Sequence, residues 1–210
     1  MKAIVFKQYG SPDGLKFLDV PRPVPRKGEL LIKLHASSIN SWDWEYLNGT
    51  PFLNRLMFGL FKPRLGKQII GAGIAGTVEA VGDGVSRFQP GDAVFGDRWD
   101  AWGGFAEYVC APENAVELKP ANATFEQAAV VPQAGVLALQ AIGKADLLGP
   151  GRKVLINGAG GGVGCFAIQL AKLAGSEVTG VDAAHKLDAV RAFGADHVID
   201  YATQGFSKTG

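Results

Sequence analysis

The stretch KVLINGAGGGVGCFAIQLAKLAG, residues 153–175, decides how this chain is read. A short apolar run at 153–157 ends in seven residues, 158–164, of which five are glycine, and an apolar segment of helical character follows. Glycine costs chain entropy wherever it is placed, so five in seven positions point to a job beyond packing. Glycines allow a backbone to approach a ligand closely, and the free N–H groups at the start of the following helix favour an anion such as a phosphate.

The dinucleotide-binding fingerprint G-x-G-x-x-G falls on Ala159, Gly161 and Gly164, with alanine replacing the first glycine. Alone the pattern is weak. Its context strengthens it, because it follows a predicted strand, opens a predicted helix, and is succeeded by Asp182, 18 residues beyond Gly164, at the end of the next predicted strand. The order from Lys153 is strand (153–157), glycine turn, helix (163–174), strand (177–182), helix (184–193) and strand (197–201), a βαβαβ unit with parallel strands. Residues Ala159, Gly160, Gly161, Gly162, Val163 and Gly164 are therefore the candidate diphosphate cradle. Asp182 is the candidate acceptor for a ribose hydroxyl.

The segment before this unit has another character. KAIVF, KFLDV, ELLIKLHASSI, AGTVEAVG, DAVFG and FAEYVCAP are short β-type runs punctuated by Gly, Pro and Asp. Alternating Pro21, Pro23 and Pro25 impose an extended connector. Residues 1–124 thus read as a mostly antiparallel β domain, and 125–210 as the first part of a doubly wound parallel sheet. Between the two, residues 126–146 read as a helix capped by Asn122 or Thr124, with Pro132 and Gly135 expected to kink or break it. In LNRLMFGLFKP, Leu53, Leu56, Met57, Leu60 and Phe61 share one face of a short helix. The plain reading packs that face on the β domain; the sharper one makes it a lid over a cleft or a partner contact.

Bulk properties narrow the classes. Of 210 residues, 47% are apolar and 20% charged, an ordinary globular composition. A net charge of +1 without a dense Lys/Arg run argues against a nucleic-acid partner. The opening MKAIVFKQYG lacks a signal-peptide core, and no stretch approaches the roughly 18 apolar residues of a membrane span. Two cysteines, Cys110 and Cys165, suit a reducing compartment, so a soluble cytoplasmic protein is expected.

VLINGAGGGVGCFAIQLAKLAG, with VTGVD and GADHVIDY, resembles the medium-chain dehydrogenase/reductase superfamily. The resemblance is narrower to its zinc-free, quinone-oxidoreductase-like branch. ASSINSWDW, AGTVEAVGDGVSRFQPGDAVFG, GGFAEYV and AAVVPQAGVLALQAI agree in order, so the likeness extends over nearly the whole chain. It implies a GroES-like catalytic domain followed by a Rossmann NAD(P)-binding domain, with cofactor and substrate in the cleft between them. Zinc-dependent members use Cys, His and acidic ligands. Here Ser38 lies in ASSIN, IIGAGIAG lacks a His-Glu pair, the cysteines are 55 positions apart, and His35, His185 and His197 have no ligand spacing. No metal site is expected.

The implied activity is NAD(P)H-dependent hydride transfer to a polarised acceptor, a quinone or an α,β-unsaturated carbonyl. Asn40 and Asp43 match the family's Asn-x-x-Asp pattern; Asn40 and Gln133 are candidates for the substrate or nicotinamide side, and Asp43 reads as structural. Trp42, Trp44, Trp99 and Trp102 read mostly as core, with a flat acceptor pocket as the alternative. Asp182 suggests NAD, whereas the resemblance suggests NADP, with Lys186 near the 2′-phosphate and Tyr201 by the adenosine ribose. Leu137 replaces a common threonine, Gly73 a common acid and Gly160 a common serine. Two alternatives stand beside this reading: an enoyl-thioester reductase, for which no basic cluster is evident, and a catalytically silent nucleotide-binding or interaction protein. Only three of the fold's six strands precede residue 210, so the chain is expected to be a truncated one, inactive alone, with an uncovered edge at 153–157 and a homodimer in the full-length form.

Overall fold

The computed structural model describes residues 1–64, 68–99, 101–143 and 148–205. They form two compact units, Met1–Gln133 and Ala134–Gly210. The last residues of the helix expected at 126–146, from Lys144 onward, lie outside the described residues.

The first unit is antiparallel β. Strands β1 (Lys2–Val5) and β2 (Lys16–Asp19) pair as a ribbon. A five-stranded sheet runs in the order β6 (Tyr108–Pro112), β3 (Glu29–Ser37), β4 (Gly73–Val81), β5 (Ala93–Asp97), β7 (Val116–Leu118). Alternation along the strands sends Leu30, Ile32, Ile74, Val78, Val94, Val109 and Val116 into one core. A second cluster gathers Phe6, Tyr46, Ile70 and Trp102, with Tyr46 stacked on Trp102 at 4.9 Å. Strand β7 is too short to stand out in the sequence.

Two helices follow β3. Helix α1 (Ser41–Asn48) begins after Asn40, whose N–H donates to the Asp43 carboxylate at 2.8 Å. It ends at Gly49 in the left-handed region, φ 65°. Helix α2 (Phe52–Phe58) carries the apolar stripe predicted at 53–61, but the stripe points outward: Leu53, Leu56, Met57, Leu60 and Phe61 are all exposed. The expectation that it packs on the β domain is corrected. Phe58 takes that place, against Tyr46 and Trp102, and the Arg55 guanidinium lies over the Tyr9 ring. Trp42, Trp44 and Trp99 are likewise exposed, so of the four tryptophans only Trp102 serves the core.

Helix α3 (Phe125–Ile142) is capped by Thr124, which exchanges two hydrogen bonds with Gln127, at 3.0 and 3.2 Å. It runs unbroken through Pro132 and Gly135. Proline removes the one N–H that would reach the Ala128 carbonyl, and the remaining turns of an 18-residue helix carry it across the gap.

The second unit is a parallel three-stranded sheet in the order β10 (His197–Asp200), β9 (Glu177–Asp182), β8 (Lys153–Asn157). Among the described residues β8 pairs only with β9, so it is an edge. Helix α4 (Gly162–Leu173) and helix α5 (Leu187–Ala192), the latter preceded by a 3-10 turn at Ala184–Lys186, cover the sheet. Ala159, Ile168, Ala171, Val178 and Val190 form the core between them. Lys172 near the end of α4 grips the Asp196 carboxylate at 2.7 Å, and the same carboxylate accepts the Val178 N–H at 2.7 Å.

Candidate nucleotide-binding site

The glycine turn is fastened to the end of β9. The N–H groups of Gly158 and Ala159 donate to the Val181 carbonyl at 2.9 and 3.1 Å, and Gly161 N–H turns back to Gly158 O at 3.0 Å. Gly158 sits at φ +76°, which favours glycine there. The first helical bond of α4 is Cys165 N–H to Gly161 O, so the N–H groups of Gly162, Val163 and Gly164 head the helix without an intrahelical acceptor. Three such free amides at a helix start can receive an anion.

Two glycines hold the turn against its support. A Cβ at Gly164 would stand 2.3 Å from Gly158 O and 2.7 Å from Ala159 Cα, both backbone atoms. A Cβ at Gly160 would meet Lys186 Cβ at 2.9 Å. Around Gly162 the nearest neighbour to such a Cβ is Ala134 Cβ at 3.7 Å, leaving room on that side of the cradle. Bare backbone donors, a close glycine surface and a helix N-terminus fit a dinucleotide diphosphate.

Asp182 is tied to the glycine turn. Its Oδ2 accepts the Gly160 N–H at 2.8 Å and its Oδ1 the Ala183 N–H at 2.8 Å, and Lys186 Nζ lies 3.5 Å from Oδ1. Burial pushes the carboxyl pKa up, but these two amides and the ammonium outweigh it and hold Asp182 below the ordinary carboxylate range. The side chain is nearly enclosed, while the Lys186 side chain is 41% exposed. Tyr201 joins through its backbone, N–H to Asp182 O at 3.4 Å, and its side chain is exposed.

Asn40 and Gln133 belong to the first unit. Asn40 Nδ2 donates to Ser38 Oγ at 3.0 Å, leaving one amide hydrogen for another group. The buried Asp43 carboxylate accepts the Asn40 and Gly71 N–H groups, both at 2.8 Å, which fixes the β3–α1 corner. Gln133 is half-buried on α3, and its amide has no partner among the described residues. Ser38 fills the space beside Gly73, where a Cβ would meet Ser38 Oγ at 2.2 Å and Ala129 O at 2.6 Å. Among the described residues no group of three His, Cys, Asp or Glu side chains is placed to hold a metal ion.

One feature escaped the sequence reading. Lys7, Arg55 and Lys62 line a cavity of about 510 Å³ with Tyr9 and Phe61, so a basic cluster does exist. Its signal was the segment between Glu45 and Glu79, which has four basic residues and no acid.

Two family models match the chain in succession: the alcohol dehydrogenase GroES-like domain over residues 26–121 and the zinc-binding dehydrogenase model over 162–209. A chloroplastic quinone-oxidoreductase, QR1, of Triphysaria versicolor is 39% identical over 97% of this chain and 62% of its own length. The quinone oxidoreductase structure from Coxiella burnetii superposes with a TM-score of 0.87 at 38% identity, covering 99% of this chain and 64% of that one. The Escherichia coli quinone oxidoreductase complexed with NADPH gives 0.84 at 27% identity over 97% and 60%. The chain thus spans a little over three-fifths of these relatives. Among the described residues, no helix is long and apolar enough to cross a membrane. An antiparallel β unit, a glycine turn heading a parallel sheet and these relatives agree, and the chain belongs to the medium-chain dehydrogenase/reductase superfamily, in its quinone-oxidoreductase-like branch.

Proposed function

We propose that this protein takes part in NADPH-dependent, zinc-independent reduction of a quinone or an α,β-unsaturated carbonyl. Residues 1–124 then serve as the GroES-like catalytic domain and 125–210 as the first half of the nucleotide-binding domain. The observation that carries this reading is the set of amides at Gly162–Gly164 heading α4, on a turn locked by Asp182.

When bound, the reduced nicotinamide supplies the hydride, and the protein supplies position. The Gly162, Val163 and Gly164 amides face the diphosphate, while Gly160 and Gly161 keep that surface free of side chains. Asp182 holds the turn through one amide donor on each oxygen, and its remaining lone pairs can still accept a ribose hydroxyl. Lys186, the exposed cation beside it, suits a 2′-phosphate, and Tyr201 suits the adenosine ribose. The Escherichia coli relative is complexed with NADPH, which supports a nicotinamide cofactor of that kind. Asn40, oriented by Ser38, and Gln133 are assigned to the acceptor or nicotinamide side as hydrogen-bond donors. The unpaired thiols Cys110 and Cys165 suit a reducing compartment, the cytoplasm in this reading, although the Triphysaria relative is chloroplastic by name. The partners are small molecules, with a homodimer as the assembly.

Nicotinamide fluorescence titrations test the cofactor site. NADPH is expected to bind, and Lys186→Ala to weaken it by about tenfold while leaving NADH unchanged, the loss of one charge-assisted contact. Turnover is read, on a chain extended to the length of its relatives, from NADPH oxidation with 9,10-phenanthrenequinone and simple enones, with and without chelator. Failure of both cofactors to bind that extended chain removes the reading, as does activity that a chelator abolishes and zinc restores.

A further inference from the structure

Helix α2 inverts the usual surface pattern. At about 100° per residue, Phe52, Leu53, Leu56 and Met57 sweep an arc of roughly 140°. All four are 53–64% exposed, and Phe61 just beyond the helix is 87% exposed. The helix cannot roll this arc inward, because its other side is anchored. Arg55 Nε and Nη2 donate to Gly49 O and Asn48 O at 3.0 and 3.2 Å, and Phe58 lies 4.7 Å from the Tyr46 ring. Tyr9 hydroxyl fixes the exit of the helix by donating to Gly59 O at 2.8 Å.

Past the end of α2 lies a cavity lined by Lys7, Arg55 and Lys62, and the exposed Phe61 also lines it. Among the described residues no carboxylate lines it. Lys7 and Lys62 enter no ion pair among the described residues. Over residues 46–78 the chain carries Arg55, Lys62, Arg64 and Lys67 and no acid, against a net charge of only +1 for all 210 residues.

We propose that α2 and the adjoining cationic cavity dock this protein on an anionic membrane surface. The apolar arc would enter the headgroup and upper acyl region, and Lys7 and Lys62 would pair with lipid phosphates. Lys and Arg stems beside apolar surface suit that interface. A second copy of the chain would bring the same cations against themselves, and a soluble phosphate would leave the apolar arc unexplained. The inference stands independently of the cofactor site.

The test is flotation with phosphatidylcholine vesicles, with and without about 30 mol% phosphatidylglycerol, at low and high salt. The protein is expected to float with the anionic vesicles at low salt and to be released at high salt. Lys7→Gln with Lys62→Gln should lower partitioning about 30-fold, the effect of two charges near the surface. Leu53→Gln with Met57→Gln should lower it at least about tenfold through lost apolar burial. These residues are exposed, and unchanged NADPH binding or an unchanged unfolding midpoint certifies the folded state of each variant. In a Leu56→Trp variant, brominated acyl chains should quench the new indole in the vesicle-bound state. The proposal is overturned by no flotation, by equal flotation with neutral vesicles, or by variants that float like the parent. It is also overturned if sedimentation shows the stripe consumed in a dimer that Leu53→Gln with Met57→Gln breaks while vesicles are ignored.

Discussion

Asp182 accepts the amide hydrogen of Gly160 at 2.8 Å across 22 residues of chain, tying the end of β9 to the turn that follows β8. Its other oxygen holds Ala183, so one side chain sets both the phosphate loop and the entry to the next turn. Asp182→Asn keeps one acceptor oxygen and turns an N–H₂ toward one of the two amides. Hydrogen bonds to charged groups are worth about 1.5–3 kcal/mol, so a stability loss of about 2 kcal/mol is expected in denaturant unfolding. NADH and NADPH should weaken together, since the loop shapes the site for both. A loss confined to NADH would instead make Asp182 a ribose ligand.

Gly158 and Gly164 lie in the same turn for different reasons, and alanine separates them. At Gly158 a Cβ meets nothing within 4 Å, but φ is +76°, so Gly158→Ala should cost about 1–2 kcal/mol of backbone strain and leave the cradle in place. At Gly164 the Cβ would stand 2.3 Å from Gly158 O, so helix and turn must part. Gly164→Ala is expected to cost about 2–3 kcal/mol and to weaken cofactor binding much more than Gly158→Ala does. Unfolding midpoints and fluorescence titrations of the two variants check this.

The parallel unit was legible in the sequence because each boundary carries a local signal: an apolar run, then glycines, then a helix-forming stretch. Strands β8 and β9 stand at their expected residues for that reason. Helix α1 was not legible, since SWDWEYLN has no apolar stripe and depends on Asn40, Asp43 and Gly49 at its ends. Periodicity found the stripe of α2 but not its direction. A 3.6-residue repeat defines an arc, and what faces the core depends on Tyr46 and Trp102, brought together from distant parts of the chain. Asp182 was found by position, but its partners are tertiary: spacing marks where an acid stands, not which amide reaches it first.

Ser38 and Gly73 occupy one space. A Cβ at Gly73 would lie 2.2 Å from Ser38 Oγ and 2.6 Å from the Ala129 carbonyl, so restoring a side chain there overpacks the site. Gly73→Ala is expected to destabilise by about 1–3 kcal/mol. In the Ser38→Gly background the penalty should shrink without vanishing, because Ala129 O remains in place. A double-mutant cycle by chemical denaturation measures the coupling, and an additive result would break the link between the two positions.

Acid lability follows from depressed carboxylates, of which Asp196 and Asp182 tie the parallel unit together, set against the raised one of Asp43. Asp196 is lowered first by its bond from Lys172 and then by Val178 N–H, and Asp182 is lowered as described. Each binds fewer protons folded than unfolded, so its contribution is complete above the unfolded value near 3.9 and is lost as pH falls through the lower folded value. Asp43 works in the opposite sense. Its burial raises the carboxyl pKa despite the Asn40 and Gly71 amides, so protonation on acidification favours the folded state. Stability measured by urea unfolding between about pH 3 and 7 should therefore fall on the acid side. Asp196→Asn should flatten that fall by removing one depressed group, and Asp43→Asn should steepen it by removing the compensating one. Parallel profiles for the two variants would show that neither carboxylate controls the acid transition.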